Sequence, residues 1–227
     1  MCSRSAVLTV SSSLTSAALI FGAVVCLLVL VSIVWSVLAR SRRIPCQAWL
    51  SWLVELDSPF TRTNHAAVII DRSDIRPGMI VLDVGCGPGR LTVPLAQRVG
   101  AQGEVVAVDV QDRMLDRARE KARAANLGNI RFVRAGAGQA DLGRNRFDRA
   151  LLVTVLGEIP DRDAALKESY ESLKPGGTLS VTEVVLDPHF QTHRSVSTRA
   201  AAAGFRETAH FGNGLAYTVI LKKPGDS

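Results

Sequence analysis

Val81-Leu82-Asp83-Val84-Gly85-Cys86-Gly87-Pro88-Gly89-Arg90-Leu91-Thr92 is the stretch that decides the fold of this 227-residue chain. Val81 to Val84 read as a short buried strand, and the glycines at 85, 87 and 89 as a tight turn leading into a helix. A turn built of glycines lets backbone N–H groups and a helix N-terminus come up against a ligand that larger side chains would hold off. The spacing is Gly-x-Gly-x-Gly. A dinucleotide fingerprint, Gly-x-Gly-x-x-Gly, would need its third glycine at Arg90 and is not met.

Outward from this loop, apolar strands of four to six residues at 80–84, 105–109, 130–133, 149–154 and a longer one at 178–186 alternate with helical patterns. Leu91, Leu95 and Val99 share one face of the first helix after the loop. Met114, Ala118, Ala122 and Ala125 form the stripe of a second, from about Asp112 to Asn126. A third runs from about Asp161 to Leu173, and a fourth from about Thr192 to Ala203, stopped by Gly204. This alternation calls for a mainly parallel sheet with helices on both faces. Phe205 to Phe211 and Tyr217 to Lys223 read as a closing antiparallel pair joined by Gly212-Asn213-Gly214.

Four stretches occur in a telling order. They are the glycine loop, Val105-Val106-Ala107-Val108-Asp109, Phe147 to Ile159, and the turn Leu173-Lys174-Pro175-Gly176-Gly177. Together, over roughly residues 60–224, they resemble a class I S-adenosylmethionine-dependent methyltransferase, broadly like the ubiquinone/menaquinone methyltransferase group. The resemblance implies a Rossmann-like α/β fold with a seven-stranded sheet, and S-adenosylmethionine as cofactor. It implies that Asp83, Gly85, Gly87 and Gly89 shape the pocket around the methionine part and that Asp109 holds the ribose. It also implies that Val110 and Met114 flank the adenine, that the Ala137 amide meets the ring, and that Thr154, in the stretch bordering the methyl-transfer site, belongs to the cofactor-binding residues. Met114 reads equally well as ordinary helix core. One departure stands out. Ala135-Gly136-Ala137 has Gly136 where many relatives carry an acid that reaches the adenine amino group, and Gln139 or Asp141 are the candidate substitutes.

Methyl transfer is a displacement that needs donor, methyl and nucleophile in line in a site without water. The acceptor side offers Glu158 after the fourth strand, His65 before the first, and His189 and His193 after the fifth. Each could act as a general base toward a phenol or hydroxyl, and each also reads as a solvated loop side chain. No Asn/Asp-Pro-Pro-aromatic signature follows the fourth strand, which argues against planar amino groups as acceptors. Cys2, Cys26, Cys46 and Cys86 show neither metal nor disulfide spacing, so no metal is expected.

Ala17 to Leu38 carry no charge, enough apolar length to cross a bilayer and longer than the apolar core of a signal peptide. Arg40, Arg42 and Arg43 follow it while only Arg4 precedes it. The reading is a single-pass membrane anchor with the catalytic domain on the cytoplasmic side. Trp49, Leu50, Trp52, Leu53 and Leu56 suit either an interfacial helix or a cover for the core. The organisation expected is therefore an anchor segment at 1–40, a juxtamembrane segment at 41–60 and the catalytic domain at 61–227. The formal charge of +6 is spread over alternating acids and bases with no basic, aromatic stripe, which argues against nucleic acid.

The function these readings give is methylation of a hydrophobic or lipid-like small molecule at a membrane. A nicotinamide-dependent oxidoreductase of related fold, and a non-catalytic membrane scaffold that keeps the pocket, are the alternatives. Nothing in the sequence fixes the oligomeric state.

Overall fold

The computed structural model describes Gly22 and residues 62–225. The chain divides into the units Met1–Arg42 and Arg43–Ser227, and the fold below belongs to the second. The expected membrane segment at about 17–38 (Gly22 apart) and the juxtamembrane segment 41–60 lie outside the described residues. Among the described residues no helix is long and apolar enough to cross a membrane. The longest has 13 residues; at about 1.5 Å per residue such a helix spans roughly 20 Å, short of the ~30 Å hydrocarbon layer. The expected single-pass membrane location with a cytoplasmic domain is corrected accordingly.

After a short 3-10 turn at Arg62–Asn64, helix α1 (Ala66–Arg72) leads to β1 (Ile80–Val84), α2 (Thr92–Val99), β2 (Glu104–Asp109), α3 (Asp112–Ala124) and β3 (Ile130–Arg134). Then come β4 (Phe147–Val153), α4 (Arg162–Ser172), β5 (Leu173–Val184), α5 (His193–Ala202), β6 (Arg206–Gly212) and β7 (Ala216–Lys222). The sheet order is β3-β2-β1-β4-β5-β7-β6. Strands β1 to β5 pair in parallel, and β7 lies antiparallel between β5 and β6. The expected seven strands, their parallel core and the closing hairpin are all present.

Period-two alternation sends neighbouring residues of one strand to opposite faces of the sheet, where helices bury them. On one face Leu82, Val106, Leu152, Val181 and Val219 pack with Leu166 of α4 and Val196 of α5. On the other, Val81, Val105 and Leu151 pack with Ile69 of α1 and Leu95 and Val99 of α2. Both clusters are apolar because central parallel strands have no solvent face.

One boundary moves. The expected turn at 173–177 is a bulge inside β5, where the register to β4 jumps from Phe147↔Leu173 to Arg149↔Thr178. Lys174 Nζ reaches Asp148 Oδ1 at 2.6 Å and the Gly176 amide donates to the Lys223 carbonyl at 3.0 Å. Strands β4 and β7 thus hold on either side a segment whose Pro and glycines signal only a turn.

The order reverses between β1 and β4, since β1 continues to β2 on one side while β4 continues to β5 on the other. At such a switch point the loops leaving the carboxyl ends diverge and open a crevice, where open α/β sheets bind their ligands.

Candidate active site

The glycine loop leaves β1 at that crevice and is fixed by two acids. Asp109, at the end of β2 and 8% exposed, accepts the Gly87 amide on Oδ2 and the Gln111 amide on Oδ1, each at 2.9 Å. Asp83, 3% exposed, accepts the Thr92 hydroxyl on Oδ2 at 2.7 Å and so ties β1 to the first turn of α2. Burial dominates both carboxyls, raising Asp109 above the usual range and pushing Asp83 up to about 6; the neighbouring Asp109 charge adds to the rise at Asp83.

The glycines divide by what surrounds them. Gly87 has φ +52 and open space where a Cβ would stand, so its backbone borders the crevice. Gly85 has φ +69, and a Cβ there would collide with the Val155 side chain in the loop after β4. Gly89 lies against Ala118 of α3, with 3.0 Å between a built Cβ and that methyl group, so it lets α3 come close to the loop. Cys86 is buried, and desolvation first, then the charges of Asp83 and Asp109, raises its thiol well above the ordinary value. The thiol therefore stays protonated.

Val110, 54% exposed, stands beside Asp109, whereas Met114 is buried. The loop after β3 is held from α4, where Glu168 accepts the Gly138 amide at 2.7 Å. Ala137 packs partly buried against the main core. A Cβ at Gly136 would lie 3.3 Å from Gln139 Oε1, so of the two candidate substitutes for the missing acid it is Gln139 whose side chain stands there.

Thr154 follows β4 with φ +52, a left-handed conformation costly for a β-branched residue. Its amide donates to the Thr182 carbonyl and its hydroxyl to the Val153 carbonyl, both at 2.8 Å. These bonds, made to β5 and to its own strand, over-determine the strained conformation at the crevice.

Of the four acceptor-side candidates, two come together. His189 Nδ1 lies 3.9 Å from Glu158 Oε1 and 3.8 Å from Asp187 Oδ1, and the His189 side chain is 8% exposed. His65 is half-buried at the N-cap of α1, on another element. His193, opening α5, pairs with Glu207 at 3.0 and 3.1 Å and lies against the ring of His210, 4.2 Å between centroids.

A residue the sequence reading passed over joins this group. Glu183 of β5 is 1% exposed; its Oε2 accepts the Gln191 amide at 3.0 Å while its Oε1 has no hydrogen-bond partner among the described residues. Desolvation pushes its carboxyl up to about 8, against the lowering effect of the Gln191 amide. Its signal in the sequence was a single charge in the apolar run from Leu179 to Leu186.

A family model described as a methyltransferase domain matches residues 81–177, from the start of the glycine-loop motif to the bulge of β5. The matched segment is a methyltransferase domain of the S-adenosylmethionine-dependent kind, and S-adenosylmethionine is its cofactor. The ubiquinone/menaquinone biosynthesis C-methyltransferase of Idiomarina loihiensis is 42% identical over 115 residues, 50% of this chain and 46% of that protein. Its namesake in Vibrio campbellii is 39% identical over 123 residues, 52% of this chain and 48% of that one. The chain thus spans about half the length of the curated relatives it matches. Among solved structures, a SAM-dependent methyltransferase from Aquifex aeolicus superimposes with a TM-score of 0.68 at 23% identity, covering 76% of this chain and 97% of that one. That likeness supports the fold.

The residues present fit the cofactor. Gly87 leaves open space where a side chain would stand, Asp109 has a carboxylate with lone pairs beyond its backbone bonds, and Val110 an exposed apolar surface.

Proposed function

We propose that the chain transfers a methyl group to a hydrophobic, hydroxyl-bearing aromatic small molecule of the quinone-precursor type. The observation that carries this reading is the Asp109-braced glycine loop at the β1/β4 crevice. Two further observations narrow the acceptor. Both relatives are named as quinone C-methyltransferases. Val185 and Leu186, just past the end of β5, are 43% and 73% exposed, and Leu215, whose carbonyl accepts the Val185 amide at 2.7 Å, is 63% exposed. Exposed aliphatic groups held side by side at the carboxyl edge of the sheet suit an apolar substituent of an acceptor.

S-adenosylmethionine, when bound, supplies an activated methyl group. The chain's own residues do the rest. Asp109 would hold the ribose and Val110 lie along the adenine, with Met114 behind it and the Ala137 amide at the ring edge. Gln139 would supply the polar contact that Gly136 lacks. Asp83, Gly85, Gly87 and Gly89 would keep the methionine side of the pocket in shape, and Thr154 would border the reacting centre. On the acceptor side His189, oriented by Glu158 and Asp187, would take the hydroxyl proton and so raise electron density on the ring. His65, at the N-cap of α1, is the alternative base.

The test is incubation with methyl-labelled S-adenosylmethionine and a demethylated quinol carrying an isoprenoid tail, followed by extraction into an organic phase. Label in the quinol, lost in Asp109→Ala, supports the reading. S-adenosylmethionine binding without label in any hydroxylated aromatic acceptor would leave a domain that keeps the pocket without turnover.

A further inference from the structure

Around Glu183 the fold gathers more ionisable groups than a packing role needs. Glu158 follows β4, Arg162 opens α4, and Asp187 and His189 lie in the loop after β5; the charges of Asp187, Arg162 and Glu158 act on Glu183, and Glu158 and Asp187 each come within 4 Å of His189 Nδ1. Tyr217 of β7 is the cross-strand partner of Glu183, and the Glu183 and Glu207 charges help burial push its phenol up, so it stays protonated. Beyond Tyr217 stand His193 of α5 and His210 of β6, with ring centroids 5.7 and 5.8 Å from the phenol ring.

The connection from Glu183 to His189 runs through one short segment. The Gln191 amide donates to Glu183 Oε2, and the Gln191 side chain donates to the His189 carbonyl at 2.7 Å. The His189 amide donates to Asp187 Oδ1 at 2.6 Å, and the Tyr217 hydroxyl donates to the Gln191 carbonyl at 2.8 Å. The segment 187–191 is thereby clamped over Glu183, while Glu183 Oε1, in a 1% exposed residue, has no hydrogen-bond partner among the described residues.

A buried carboxylate with one oxygen unpaired, beside two other acids, is an unfavourable charge, and protonation removes it. The charges of Asp187 and Glu158 add to the rise at Glu183, and a carboxyl coupled to its neighbours in this way titrates as part of the group. We propose that Glu183 is a positioning residue that holds one exchangeable proton for the Glu158–Asp187–His189 group, releasing it when His189 takes up the proton of an acceptor hydroxyl.

This rests on the proposed methyl transfer to a hydroxyl-bearing acceptor. In the step, the acceptor O–H bond breaks, its electron pair stays on the acceptor, and the proton bonds to the His189 imidazole. The added positive charge favours the Glu183 carboxylate, whose proton leaves to solvent, so the charge of the group is restored. The carboxyl value of about 8 agrees with a proton held at neutral pH and yet releasable.

The experiment is an NMR titration of the His189 ring carbon, in the full chain without acceptor, for the parent and for Glu183→Gln and Glu183→Asp. The parent should show an inflection near pH 8 reporting Glu183. Glu183→Gln should lose that inflection and Glu183→Asp should keep it, displaced. A parent curve without that inflection, or an inflection near pH 8 that survives in Glu183→Gln, overturns the proposal. If Glu183→Gln does not fold, the carboxyl carbon of Glu183 in the parent decides: titration near pH 8 supports the proposal and titration in the ordinary carboxylate range overturns it. The labelled-quinol assay is independent of this readout. A negative result there with the inflections as expected removes the function and the acceptor step, while the coupling of Glu183 to His189 stands.

Discussion

Asp109 Oδ2 accepts the Gly87 amide at 2.9 Å, so the acid that closes β2 and the turn that leaves β1 form one piece of structure. The same carboxylate holds the Gln111 amide at the start of α3. Asp109 is therefore a brace for the cofactor loop as well as the candidate contact for the ribose.

Asp109→Ala removes the bonds to the Gly87 and Gln111 amides at once. Charge-assisted hydrogen bonds to backbone amides and to a ribose together support an expected loss of about 2–3 kcal/mol in S-adenosylmethionine binding. Because the loop loses its brace, the unfolding midpoint should fall too. Isothermal calorimetry and thermal unfolding measure the two effects. Unchanged affinity with lowered stability would make Asp109 a brace only.

Gly85 and Gly87 should fail in different ways. Gly85→Ala drives a methyl group into Val155 at a backbone angle of φ +69, so destabilisation of about 1–3 kcal/mol is expected, partly reversed by adding Val155→Ala. Gly87→Ala places its methyl in open space, with an expected cost of only about 1 kcal/mol for the φ of +52. Cofactor affinity should drop all the same. Denaturant unfolding of the two variants beside binding titrations separates these outcomes.

Burial also leaves a signature in the pH dependence of stability. Asp83 has a folded value of about 6 against an ordinary 3.8, so the folded chain binds this proton more tightly than the unfolded one. The associated stability is fully present below pH 3.8 and is lost as pH rises to about 6. Asp83→Asn should flatten that part of the profile, as measured by chemical denaturation in steps of pH. A slope between pH 4 and 6 unchanged in Asp83→Asn would contradict the assignment.

Thr154→Gly tests the strained corner after β4. Relief of the left-handed conformation is worth about 1–2 kcal/mol, which the loss of the hydroxyl bond to Val153 largely offsets. Stability should therefore change little while methyl transfer slows. A large loss of stability would make Thr154 a packing residue.

The frame of the site was readable in the sequence because each part rests on a local rule. Glycines at 85 and 87 serve backbone angles that few other residues adopt, Asp109 closes an apolar strand, and the helices carry their stripes. Glu183 was not readable in this way. A lone acid in a strand reads as a solvent-facing residue, and only the pairing of β5 with β7 and the clamp of Gln191 and Tyr217 bury it. The neighbour of Gly89 was not readable either, since Ala118 of α3 comes against it from a different part of the chain. Lys174–Gly177 misled for a similar reason, since a proline and two glycines signal a turn whether it ends a strand or bulges within one.

The claim on which the rest depends is that the loop at Gly87 receives S-adenosylmethionine. Calorimetric titration of S-adenosylmethionine into the parent and into Gly87→Val measures it most directly, with thermal unfolding run beside it. The account predicts saturable binding of one equivalent to the parent, no detectable binding to Gly87→Val, and a cooperative unfolding transition in both. Equal affinity in parent and variant would contradict it, and the glycine loop would then be a structural turn.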